Sequence, residues 1–231
     1  MTVRRRFYKD VTVTGEFGIA LDGKVVKTPL KAPLRLPNRA LAEVVAAEWA
    51  EQGEKIEPQS MYCTRIASTA IDRVVRQRGP VEQEVLAYAN SDLVCYRAEG
   101  PELLCLRQSA HWDPVIAWSH EALKAAFATR QGVMHRNQPP AALDAVHRAI
   151  SGLDDFTLAA THAVTMNTGS ALIALMLALR AIDHEKAWNA ANVDEDYQWD
   201  MWGKDMAAAV SRVFRYSEYD ACRQVLEALH G

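Results

Sequence analysis

The periodicity of this chain changes once, at Asn38, and that change limits what it can fold into. Before Asn38, Phe7 to Val13 and Phe17 to Leu21 alternate or run apolar, with Gly15 between them. Asp22-Gly23 then separates Leu21 from Lys24. Such a pair takes up positive φ readily and predicts a two-residue hairpin, with Val25 and Val26 on the returning strand. Pro29, Pro33 and Pro37 follow, and a residue without a backbone N–H limits this stretch to edge strand or loop. After Asn38 the apolar residues recur at three- and four-residue spacing. The expected fold is α+β: a small antiparallel β-rich part over residues 1–37, then a larger, mainly helical part over 38–231. The helices over 38–90 can pack with either.

The helical part is punctuated by caps and breakers. Asn38 suits the N-cap of a first helix carrying Leu41, Val44, Val45 and Trp49, which Gly53 ends. A second helix with Ile66, Ala70 and Val74 ends near Gly79, and Pro80 suits the first turn of a third. Leu93 to Tyr96 reads equally as a strand or a helix end. Glu102–Ala110 and Pro114–Thr129 are expected as two helices, with Asp113 capping the second. Pro139-Pro140 breaks the chain before Ala141–Ile150, and Asp154 caps a helix reaching Val164. Gly169-Ser170 opens an apolar helix to Ile182. Asp183 caps a short one, Asp194 another that Gly203 stops, and Asp205 a final helix carrying Val210, Val213, Phe214, Val225, Leu226 and Leu229.

A chain of 231 residues, 49% hydrophobic and 24% charged, can bury one large core or two smaller ones. A net charge of -3 argues against nucleic acid as the main partner, because phosphate-binding surfaces are strongly basic. The Arg4–Arg6 run reads as solvated charge flanking a strand. Four cysteines without a CxxC pair predict neither a zinc site nor a disulfide framework, but free buried thiols. The alternation over Phe7–Thr14 is unlike a secretory leader. The most apolar run, Ala171–Leu179, is far short of the roughly twenty residues a bilayer span needs, so no membrane insertion is expected.

Catalytic signatures are sparse. No GxSxG, GxGxxG, GxxxxGK[ST] or HExxH occurs. The segment Val193–Asp205 stands out instead, with five carboxylates, two tryptophans and a tyrosine in thirteen residues. Helical residues point about 100° apart, so Asp194, Glu195 and Asp196 do not converge on one ion, and no metal is expected. At four- and three-residue spacing, Glu195, Trp199 and Trp202 share one helix face, with Asp194 and Gln198 on the adjoining one. Acids among amphipathic rings suit the grip of an Arg-bearing protein surface. Thr168-Gly169-Ser170 reads as a cap with close helix packing.

In chain order, Lys27-Thr28-Pro29-Leu30, Ala47-Glu48-Trp49, Ser68-Thr69-Ala70-Ile71-Asp72, Asp92-Leu93-Val94-Cys95-Tyr96-Arg97-Ala98, Trp112-Asp113-Pro114, Gly169-Ser170 and Asp194-Glu195 with Gln198 and Trp202-Gly203-Lys204-Asp205 resemble one family across nearly the whole chain. That family is the chaperones that assemble F-type ATP synthase by holding its free alpha subunit. The resemblance implies a monomeric, non-enzymatic protein without cofactors, binding the alpha subunit until the beta subunit replaces it. It implies a bacterial cytoplasm, or the mitochondrial matrix if the source is eukaryotic. The family's sensitive acid falls on Glu195, with Asp194 beside it. The expected partner-binding set is Glu195, Asp194, Gln198, Trp199, Trp202 and Asp205. Two features depart from the pattern: Tyr197 stands where the family often has tryptophan, and Lys204 and Met206 replace acids. The residues alone leave two other readings open, a helical adaptor for another protein and a small-molecule hydrolase using Asp113 with His111 or Asp194 with Glu195.

Overall fold

The computed structural model describes residues 4–230, Arg4 by its backbone alone; residues 1–3 of the β-rich part lie outside them. Its contacts form two compact units. One holds the chain through Arg78, Asp154–Ala160 and the chain from Ser217 onward; the other holds Gly79–Leu153 and Thr161–Tyr216. The boundary read at residue 37/38 falls inside the first unit, where the helix after it packs on the sheet.

In the first unit, β1 (Arg4–Arg5) pairs antiparallel with β5 (Lys55–Ile56). Strands β2 (Val11–Val13), β3 (Ile19–Leu21) and β4 (Lys24–Val25) form an antiparallel sheet in that order. The β3–β4 hairpin turns at Asp22 and Gly23, whose φ angles of 46° and 78° are the left-handed values that Asp-Gly favours. The arginine run is more than solvated charge. Arg5 lies in β1, and the Arg6 guanidinium donates to the carbonyls of Tyr8, Ala50 and Gln52, which ties the segment to α1 (Arg39–Ala50). The Arg4 side chain is outside the described residues.

Helix α1 packs on β2 and β3. Asn38 caps it, accepting from the Leu41 amide at 2.8 Å, and its Nδ2 donates to the Ala228 carbonyl. Tyr8, Leu21, Ile56 and Met61 are buried together beneath Trp49 and Val26. Helix α2 (Tyr62–Thr69) has its cap supplied from α1. Glu48 accepts from the Cys63 and Thr64 amides at 2.8 and 2.7 Å, while burial pushes its carboxyl above the usual range. A π-helical turn, Ala70–Val74, extends α2. Helix α3 (Val75–Asn90) is broken at Gln77, just before Pro80 starts its second piece.

In the second unit, the ambiguous stretch is both things in turn. Leu93–Cys95 is a 3-10 turn and β6 (Tyr96–Arg97) pairs in parallel with β7 (Arg130–Gln131). Helix α4 is one helix, Glu102–Leu123, where two were expected. Asp113 is not a cap; it pairs with Arg97 at 2.7 Å. Pro114 removes one backbone hydrogen bond, but Gln108, Trp112, Val115 and Ser119 make a continuous buried face, and Trp112 donates to the Ala190 carbonyl at 2.7 Å. Packing outweighs the break. The later helices are α5 (Pro140–Ser151), α6 (Asp155–Thr168), α7 (Ala171–Ala178), α8 (His184–Ala191), α9 (Val193–Trp202) and α10 (Met206–His230). Asp154, Asp183 and Asp205 cap α6, α8 and α10 as read. Asp194 does not cap α9; Asn192 holds that position. Helix α7 stops short of Ile182, and every one of its residues is buried, as befits a helix apolar all round. Among the described residues, no helix is long and apolar enough to cross a membrane.

The start of α7 depends on a buried carboxylate. Ser170 caps it, accepting from Ile173 at 3.1 Å, and Gly169 turns into it at φ 74°. Asp92, fully buried, accepts from the Leu172 and Val94 amides at 3.0 and 3.3 Å. Burial pushes the Asp92 carboxyl up to about 6 from its ordinary 3.8, although these donors pull it back. The protonated form therefore favours folding: the contribution is complete below the unfolded value and is lost as pH rises through the folded one. Between pH 4 and pH 7 the native protein should lose about 2 kcal/mol of unfolding free energy relative to Asp92→Asn, which does not titrate. Urea denaturation of both proteins across that range measures this; a pH-independent difference would contradict it.

Candidate functional site

Helix α9 places its four carboxylates on four different partners. Asp194 accepts from Gln108 Nε2 at 2.7 Å, Glu195 pairs with Arg215, Asp196 with Arg212, and Asp200 with Arg107 at 2.6 Å. Gln108 and Arg107 belong to α4; Arg212 and Arg215 lie near the start of α10. The divergence expected of consecutive acids is present, and each acid has a partner within the chain. The arginines that these acids meet are the chain's own. The Glu195 side chain is 25% exposed and already paired, so it orders α9 against α10.

The rings are held by the same cations. The Arg212 guanidinium sits 4.6 Å from the Trp199 ring centroid and 5.8 Å from that of Trp188, and Lys204 lies 5.2 Å from Trp199. Trp188 meets Tyr216 edge-on at 5.1 Å. Tyr197 is buried, with Arg107 5.5 Å from its ring. Of the expected set, Trp202 and Gln198 are exposed, Trp202 to 76%; Trp199, Asp194 and Glu195 are half-buried. Asp205 is exposed and accepts from the Ala208 amide at 2.8 Å as the α10 cap. The structure thus brings Glu195 and Trp199 into an ion-pair and cation–π lattice with Arg215 and Arg212, ties Asp194 to Gln108 by a hydrogen bond, and leaves Trp202 exposed at the end of α9.

What the sequence reading missed is on α10. Met206, Val210, Val213 and Phe214 are exposed by 53% to 76%, although Val210, Val213 and Phe214 stand in the sequence with Val225, Leu226 and Leu229 as the apolar residues of one final helix. Only the later group, including Val225 and Leu226, is buried. The signal was in the spacing. On a regular helix the early group spans an arc of about 100°, centred roughly 120° from the later one, so the two cannot face the same core. Arg212 and Arg215 lie opposite the early group, where they reach α9. With Met201 and Trp202 at the end of α9, this makes a set of large exposed apolar side chains around the α9–α10 junction. The departures at Lys204 and Met206 fit it: one places a cation over Trp199, the other adds apolar surface.

The groups proposed for hydrolysis do not converge. Asp113 is paired with Arg97, and Asp194 and Glu195 have separate partners. The Cys63 and Cys95 thiols are pushed up to about 12, chiefly by burial, and so stay protonated at neutral pH. All four cysteines are free as expected, though Cys105 is only half-buried. Among the described residues, no group of three or more His, Cys, Asp or Glu is placed to hold a metal ion.

The family model described as ATP12 chaperone protein matches residues 5–120. This chain belongs to the ATP12 chaperone family. The resemblance to the assembly chaperones of ATP synthase therefore holds at the level of family. Among solved structures, the Atu1473 protein of Agrobacterium tumefaciens is similar at 43% identity and a TM-score of 0.92, over 98% of this chain and 87% of that one. Atp12 of Paracoccus denitrificans is 34% identical with a TM-score of 0.85, over 98% and 97%. The mitochondrial atp12 protein of Schizosaccharomyces pombe is 24% identical over 216 residues, 86% of this chain and 74% of that protein.

The α9–α10 lattice makes a measurable forecast. Glu195→Lys sets a cation against Arg215 and should cost about 1–2 kcal/mol; the exchanged pair Glu195→Lys with Arg215→Glu should recover most of it. Urea denaturation of the two single variants and the double variant reads the coupling. Strictly additive losses would mean that the pair does not order the junction.

Proposed function

We propose that this protein is a holding chaperone for ATP synthase assembly, keeping the unassembled alpha subunit soluble until the beta subunit replaces it. The observation that carries this reading is the exposed apolar set at the α9–α10 junction. Large contiguous apolar surface on a soluble protein commonly marks a site of protein association. A subunit built to be enclosed in a ring exposes apolar flanks when alone, and such flanks aggregate.

The binding surface in this reading takes in Trp202, Val213 and Phe214, together with Gln198 and Trp199 of α9. Glu195, Asp194 and Asp205 belong to the same site. Asp205 starts α10 and the two acids order α9, so their influence on the partner runs through the shape of the junction. A holder must also give way to the true neighbour. Discrimination of that kind favours a mixed surface of limited area, with apolar contacts bordered by charge, over a broad dry interface. In this role the protein performs no bond-making. It acts in the bacterial cytoplasm, or in the mitochondrial matrix of a eukaryote.

Co-expression with the alpha subunit tests the reading. The native protein should raise soluble alpha subunit several-fold as an isolable complex, and added beta subunit should displace it. Trp202→Ser with Phe214→Ser should abolish the gain while changing the chaperone's own stability by no more than about 1 kcal/mol, since both side chains are exposed. Unchanged soluble yield with the native chaperone would refute the function; full holding by the double variant would refute the surface.

A further inference from the structure

The first unit carries an open groove of about 850 Å³ that the junction does not use. Its apolar lining comes from Leu21, Val26, Leu34, Trp49, Ile56 and Met61. Phe7 and Leu30, 70% and 55% exposed, stand along it as uncovered apolar side chains. Lys24, Lys27 and Lys31 also line it and are exposed.

The groove is built rather than incidental. The π-helical turn Ala70–Val74 carries Asp72, whose two carboxylate oxygens accept from Thr28 Oγ1 at 2.7 Å and the Leu30 amide at 2.9 Å. Thr28 also closes its own loop: its amide donates to the Ala32 carbonyl and its Oγ1 accepts from the Ala32 amide. Asp72 is thereby occupied in holding the loop, and it is the one carboxylate of a lining that also carries Lys24, Lys27, Lys31, Arg65 and Arg73, so the groove's edge is net positive. π-Turns inside α-helices recur at functional sites because they reposition one side chain out of the α-helical register. Three of the segments that carry the family resemblance, Lys27–Leu30, Ala47–Trp49 and Ser68–Asp72, meet at this groove.

We infer that this groove is a second client-binding site, which takes an extended polypeptide segment of the held subunit that presents apolar side chains to the floor and at least one carboxylate to Lys24, Lys27 and Lys31. The inference rests on the client reading above. The apolar lining selects buried side chains, the lysine edge selects acidic over basic flanks, and the exposed Phe7 and Leu30 extend the contact beyond the enclosed volume. Two separated contacts on one client would also raise the overall grip without making either site tight, because the second engagement is intramolecular.

Photocrosslinking within the complex of the full chain and the alpha subunit tests this. A benzoylphenylalanine at Leu30 should crosslink to an alpha-subunit peptide containing apolar residues and an Asp or Glu, distinct from the peptide captured by the same probe at Trp202. The triple variant Lys24→Glu, Lys27→Glu and Lys31→Glu, checked for folding by circular dichroism, should weaken the complex at least about tenfold. Capture at Trp202 with none at Leu30, or a triple variant that binds within twofold of the native protein, would overturn the groove and leave the junction intact. Capture at Leu30 of a basic segment, or of a co-purifying apolar acid in place of the client, would also overturn it. If no complex forms at all, both readings fall.

Discussion

The carboxylates of α9 are all partnered from within the chain, three by arginines and one by a glutamine, and the rest of the candidate surface follows from that constraint. Arg107 and Gln108 of α4 and Arg212 and Arg215 of α10 take up Asp194, Glu195, Asp196 and Asp200. Partly buried charges are costly to leave unpaired, so these contacts fix how α10 is rotated about its axis. With the arginine side turned to α9, Met206, Val210, Val213 and Phe214 fall on the opposite side and stay uncovered. An acid-rich segment thus yields an exposed apolar surface. Arg212, set between Trp188 and Trp199, serves both parts of the lattice.

Such a surface suits temporary binding. Apolar side chains supply the affinity, while the bordering ion pairs keep the contact small and oriented. Area alone does not set affinity; how much must be ordered on binding does, and a junction already ordered by internal pairs loses little on docking. The groove in the first unit, with its Asp72-anchored loop, applies the same principle of a preformed apolar recess beside charge.

Much of the fold was legible in local chemistry. Asp22-Gly23 turned the hairpin, Asn38 capped the first helix, and Gly203 ended α9, because turn and cap preferences are settled within a few residues. The failures arose where distant residues decide. Asp113-Pro114 has the local signature of a helix start, yet the buried face through Trp112 carries α4 past it. Asp194 looked like a cap but meets Gln108, 86 residues away. For the site, the important segment was visible as composition, and the divergence of its three consecutive acids was visible as geometry. Their partners were not, since nothing near Glu195 in sequence announces Arg215 as its counter-ion. The exposed face of α10 was recoverable from the angular offset of its two apolar groups, a reading that residue type alone conceals.

Hydroxyl-radical footprinting of the chaperone, alone and bound to the alpha subunit, bears most directly on the central claim that the α9–α10 junction is the surface a client covers. Methionine and tryptophan are reactive reporters, and Met201, Trp202 and Met206 are all exposed in the free protein. The account predicts that oxidation of these three falls several-fold in the complex, while that of Met134, exposed elsewhere in the second unit, stays the same. Undiminished oxidation of Trp202 and Met206 in a fully formed complex would contradict it.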